Sequence, residues 1–88
     1  MTPDEALAEV KRARPVLQYS RHARDRMNER QVQVRDVERA IDTASAARFN
    51  QEKGTWRIEG GLDREGCPLA VTVGFKPRAV TVVTVFED

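Results

Sequence analysis

One stretch of the chain carries most of the residues suited to chemistry. It runs Tyr19-Ser20-Arg21-His22-Ala23-Arg24-Asp25-Arg26-Met27-Asn28-Glu29-Arg30 and contains the single histidine of the protein. At about 100° per residue on a helix, His22, Arg26 and Arg30 fall within roughly 80° of one another, a single stripe. Ala23 and Met27 lie beside that stripe and read as its core-facing neighbours, so the basic groups border the core and can hold their heads over a cleft. Such a set suits RNA cleavage that uses the 2′-hydroxyl as internal nucleophile. That reaction needs an acid or base working near neutrality, and an imidazole ordinarily titrates near pH 6.5. It also needs positive charge on the phosphorane, which guanidinium forks supply. The same residues equally fit a solvated helix, with Arg26 and Glu29, or Arg21 and Asp25, as surface ion pairs and His22 as a partly exposed filler.

Further candidates lie in the second half. If Trp56 and Ile58 point at the helices as core, then Arg57, Glu59 and Thr72 line the other, open face of the sheet. An ordinary solvated sheet face reads the same way. The last strand is ambiguous. Val80, Val82, Thr84 and Phe86 share one face by strict alternation, and Thr81, Val83, Val85 and Glu87 the other. The first set is the more apolar, so alternation buries Thr84 and opens Thr81. Cys67, before Pro68, reads as a small packed side chain.

These residues must be positioned by elements that the sequence also announces. Thr2-Pro3-Asp4-Glu5 predicts an N-cap, a proline at the first helical position and a capping box. The helix it starts covers Pro3 to about Ala13 and stops before Pro15. Ser20 predicts the N-cap of a second helix, Arg21 to about Arg30. Val34, Val37, Ile41 and Ala44 recur at helical period and predict a third, from about Arg35 to Thr43. The link between the last two is short, so they should pack as neighbours. After Ala47 the period becomes two. Runs around Trp56–Ile58, Leu69–Phe75 and Ala79–Phe86 are separated by Lys53-Gly54, Gly60–Gly66 and Lys76-Pro77-Arg78. The expectation is one α+β domain over residues 1–88, with N-terminal helices packed on one face of a three- or four-stranded antiparallel sheet. The last strand should close it.

Composition narrows the function classes. Eighty-eight residues, 40% hydrophobic and 33% charged, suit one globular domain and exclude a disordered or collagen-like chain. The longest apolar runs are far below the roughly 20 residues of a bilayer span, so no membrane association is expected. The N-terminal residues include acids and no apolar stretch, unlike a signal peptide, and the cytoplasm is the expected location. One Cys and one His cannot build a four-ligand zinc site of those residues, and no cofactor is expected. The net charge of +1 says little about partners. Residues 19–48 nevertheless hold seven arginines against five acids, a weak pointer to nucleic acid or an acidic partner.

The pattern Tyr19-Ser20, His22-Ala23, Arg26-Met27 and Arg30, followed by Val34, Val37 and Ala40-Ile41, resembles the small bacterial family known as domain of unknown function 4258. Trp56-Arg57-Ile58 with Gly60, Leu69-Ala70-Val71 with Val73, and Val82-Val83-Thr84-Val85 are similar to its strands. The resemblance spans roughly residues 16–87. It implies kinship with RelE-like and BrnT-like toxins, a shape like barnase-type ribonucleases, and the toxin role in a toxin–antitoxin pair. It further implies an antitoxin protein as partner, a zinc-finger protein of the MqsA type in several relatives. Carried over position by position, His22, Arg26 and Arg30 match the helix motif and Thr84 a hydroxyl in the last strand. Arg57, from its place on the open sheet face, and Tyr19 are the expected substrate-binding residues. Thr84 and the alternation argument then disagree, unless a bulge shifts the strand. The chain also departs from the RelE pattern in ending with Glu87-Asp88 rather than a basic segment. The function expected is a metal-independent endoribonuclease toxin. The alternative is a non-catalytic module that holds RNA or a protein through the His22/Arg26/Arg30 stripe. A third is a protein-interaction subunit whose sheet is completed by a partner strand.

Overall fold

Helix α1 (Pro3–Ala13) begins where the sequence places it, in a computed structural model that describes residues 1–87. The Thr2 amide donates to Glu5 Oε1 at 2.8 Å, and the Glu5 amide to Thr2 Oγ1 at 3.2 Å, a reciprocal cap. A 3-10 turn at Arg14–Val16 leads into a two-residue strand, β1 (Gln18–Tyr19). Then come α2 (Arg21–Glu29), α3 (Val34–Thr43) and four strands: β2 (Ala46–Asn50), β3 (Thr55–Glu59), β4 (Leu69–Lys76) and β5 (Ala79–Glu87). The last strand runs to Glu87, and Asp88, named in the expected ending, lies outside the described residues.

The sheet has five strands in the order β1-β5-β4-β3-β2. Neighbours are antiparallel except β1, which runs parallel to β5. The expectation of three or four antiparallel strands therefore needs correcting to a five-stranded mixed sheet. A two-residue strand held between Pro15 and the Ser20 cap has no periodicity to show. Its parallel partner lies more than sixty positions away.

Three helices and the sheet share one core. Ala6 and Val10 of α1, Ala23 and Met27 of α2, and Val37, Ala40 and Ile41 of α3 meet Trp56, Ile58, Leu69, Val71, Val73, Val82 and Val85. Ala6 and Val10 are fully buried, so α1 is an integral part of that core. The expected adjacency of α2 and α3 takes a looser form. They are chain neighbours within the shared core, but α2 packs along β5, whereas α3 packs on β4 and α1. The turn between them closes by a bond from the Val32 amide to the Met27 carbonyl at 2.8 Å.

The long β3–β4 connection is pinned to the start of α3. Asp36 Oδ1 accepts from the Arg64 amide at 3.2 Å and from Arg64 Nε at 2.9 Å, while its Oδ2 accepts from the Gln33 amide at 3.0 Å. These bonds, the Arg64 guanidinium first, hold the Asp36 carboxyl below the usual carboxylate range. Gly61 of the same connection leaves no room for a Cβ, which would collide with the Ala40 carbonyl oxygen. Cys67, expected to be packed, is exposed instead. Its amide donates to Asp63 Oδ1 at 2.9 Å inside a surface turn, and the turn, not the core, fixes its place. Among the described residues no helix is long and apolar enough to cross a membrane.

Candidate functional site

The face of the sheet away from the helices carries a polar row in direct cross-strand register: Arg48 opposite Arg57, Arg57 opposite Thr72, and Thr72 opposite Thr84. With strands about 4.8 Å apart, the row spans roughly 14 Å across the sheet. It floors an open cavity of about 820 Å³, which is also lined by His22, Phe86 and the β2–β3 hairpin with Lys53.

A bulge decides which hydroxyl of β5 joins this row. Thr72 pairs with Thr84, but the next residue, Val73, pairs with Val82, so Val83 has no residue opposite it. The alternation changes phase at that point. Val82 and Val85 are both buried in the core, and Thr81 and Thr84 both take the open face, paired with Gly74 and Thr72. The burial of Thr84 expected from strict alternation is thereby corrected, and the position carried over from the family pattern reaches the cavity.

The same bulge sets the histidine. The Ser20 amide donates to the Val82 carbonyl at 2.9 Å and its Oγ to the Val83 carbonyl at 3.1 Å. The hydroxyl also accepts from the Ala23 amide at 3.0 Å, capping α2. The N-terminus of α2 is thus fastened to β5 at the irregular residue, and His22, two residues on, lines the cavity beside Val83 and Thr84. His22 is exposed, free to meet a ligand.

Arg57 sits in the middle of the row with its guanidinium carbon 4.6 Å from the centre of the Phe86 ring. Its Nε lies 2.9 Å from Glu59 Oε2, and Arg48 Nη2 lies 3.4 Å from Glu59 Oε1. The floor therefore keeps a net positive charge that one carboxylate only partly offsets.

The helical stripe does not stay together. His22 lines the cavity; Arg26 and Arg30 do not. Arg30 caps the C-terminal end of α2 and reaches Glu87 at 3.5 Å, both side chains about half exposed. The Nε of Arg26 is buried with no hydrogen-bond partner among the described residues. Tyr19 faces the other way. It pairs with Val82 on the core side and lines a second, smaller cavity of about 460 Å³ with Met27, Val32 and Val34. Its hydroxyl is buried without a hydrogen bond among the described residues, and burial, with the Glu38 carboxylate nearby, pushes the phenol up to about 12. Sequence reasoning missed Arg48, which alternates with Phe49 in β2. The alternation of Arg48 with Phe49, whose ring centre lies 5.0 Å from that of Trp56, is the signal that could have placed it. Among the described residues no three His, Cys, Asp or Glu side chains gather as metal ligands.

A family model described as Domain of unknown function (DUF4258) matches residues 19–87. No curated protein and no solved structure matches the chain. The match begins at β1, so α1 stands outside it although it completes the core.

Proposed function

The chain belongs to the DUF4258 family, and we propose that it is a toxin of the RelE/BrnT-like kind, a metal-independent endoribonuclease that binds RNA on the open face of its sheet. The observation that carries this reading is the convergence of His22, Arg57, Thr72 and Thr84 on one cavity from four separate elements. An imidazole beside hydroxyls and a guanidinium is a set that can move a proton and hold a phosphorane. His22 serves as the acid or base at the 2′-hydroxyl or leaving oxygen. Arg57 faces the phosphate, and Thr84 and Thr72 bond to its oxygens or to the ribose. Arg26 and Arg30 contribute to the field at the margin of the site. The partner is an antitoxin protein that covers this face with an acidic segment, imitating phosphate toward the arginines.

The test is cleavage of RNA by the purified protein. His22→Ala should remain folded and lose about 10²–10⁴-fold in rate, the usual cost of a general acid–base group. The wild-type rate should survive EDTA. Full cleavage by His22→Ala, or activity abolished by EDTA, would falsify the mechanism. Salt-dependent RNA binding without cleavage would favour the non-catalytic module instead. Expression alone should arrest growth, and expression together with the antitoxin should not.

A further inference from the structure

Arg48 and Arg57 stand directly opposite each other on the antiparallel β2–β3 pair, both on the open face. Like charges in that position repel and cost stability. Glu59 offsets the cost. Its two oxygens divide between the two guanidiniums, Oε2 to Arg57 Nε at 2.9 Å and Oε1 to Arg48 Nη2 at 3.4 Å. An anion whose oxygens divide between two guanidinium groups is also the way a phosphate is bound. The Arg48 side chain is 76% exposed, so it can swing to a new anion, while Arg57 is braced against Phe86.

We infer that Arg48 and Arg57 form a phosphate-binding subsite and that the Glu59 carboxylate is its resting occupant, displaced when a phosphate arrives. The inference rests on the RNA reading of the open face and extends it. The subsite lies at the hairpin side of the row, so a single strand would cross the sheet from the His22 and Thr84 end toward Lys53. Exchanging one anion for another gains little, so a lone phosphate binds weakly and a polyanion better. Because Glu59 already offsets one of the two positive charges, fewer counterions are released on binding than two arginines would otherwise give.

The experiment measures binding of a short single-stranded RNA and of inorganic pyrophosphate across a salt series, for the wild type and for Glu59→Gln. The variant should bind both ligands roughly two- to fivefold more tightly, the worth of freeing a surface ion pair. Its plot of log K against log salt for RNA should steepen by about 0.7, one further counterion on a single strand. Adding Arg48→Ala to Glu59→Gln should erase the gain. A merely structural Glu59 would instead loosen binding and leave the slope unchanged, and that result overturns the inference. Pyrophosphate bound by neither protein overturns it as well. A gain for pyrophosphate with no RNA binding by either protein upholds the subsite and removes the RNA reading. RNA cleavage that depends on His22 but is indifferent to Glu59→Gln does the reverse. One readout needs no variant: pyrophosphate should shift the Arg57 Nε–H resonance of the wild type, and an unmoved resonance at saturation counts against displacement.

Discussion

Thr72 and Thr84 face each other across β4 and β5, and one residue further along β4 the register has already slipped, Val73 lying opposite Val82. A strand of strict alternation cannot put two residues three apart, such as Thr81 and Thr84, on the same face. The unpaired Val83 allows it. The irregular residue also offers its carbonyl to Ser20, which starts the helix bearing His22. One bulge thus places both a hydroxyl and the imidazole at the cavity.

Thr84→Val keeps the β-branched shape and removes the hydroxyl. It should lower RNA cleavage by about ten- to a hundredfold, as expected for a lost bond to a charged oxygen, with the fold unchanged. Thr81→Val, outside the cavity lining, should cut at the wild-type rate. Equal rates for all three proteins would remove Thr84 from the site.

Arg57→Ala should reduce RNA affinity at every salt concentration and flatten the salt dependence by about 0.7. Arg30→Ala breaks only the half-exposed contact with Glu87, so it should cost less than about 1 kcal/mol of stability. Denaturant unfolding and binding isotherms on the two variants compare these effects. An Arg30 effect on binding as large as that of Arg57 would show that the helical stripe acts as one unit after all.

Tyr19 is the only tyrosine, so its ionisation can be followed by absorbance at 295 nm. The midpoint should lie at about 12 instead of near the ordinary 10. The folded value is the raised one, so this group's contribution to stability is complete below pH 10 and fades as pH rises toward 12. Tyr19→Phe discards a buried hydroxyl that lacks a partner among the described residues, and should leave stability equal or higher and RNA cleavage unchanged. A midpoint near 10 in the folded protein would contradict the burial.

Asp36 should make the fold acid-sensitive. Its carboxyl is held down in the folded state, so its contribution is present above the unfolded value near 4 and is lost as pH falls through the folded one. Asp36→Asn should melt several degrees lower at pH 7, because it loses charge-assisted bonds to Arg64 and to the Gln33 amide. The difference from wild type should shrink as the pH is lowered from 4 toward 3. A constant gap from pH 7 to pH 3 would show that the charge is not what holds the connection.

The local elements were legible because their determinants lie within a few residues of each other. The Thr2 and Glu5 cap, the Ser20 cap, the spacing of Val34, Val37 and Ile41, and the alternation around Trp56 and Val71 all act over one or two turns or strand repeats. They give the helices, the strands β3, β4 and β5, the core face, and the placing of Arg57 and Thr72 on the open side. The pairing of β1 with β5, the unpaired Val83, and the separation of Arg30 and Tyr19 from His22 depend on contacts between residues as far apart as Ser20 and Val83. Such contacts form only when the sheet has closed and α2 has been laid along β5. Register is the choice that lets Val82 and Val85 both enter the core, and side-chain packing settles that choice after the local pattern has been read.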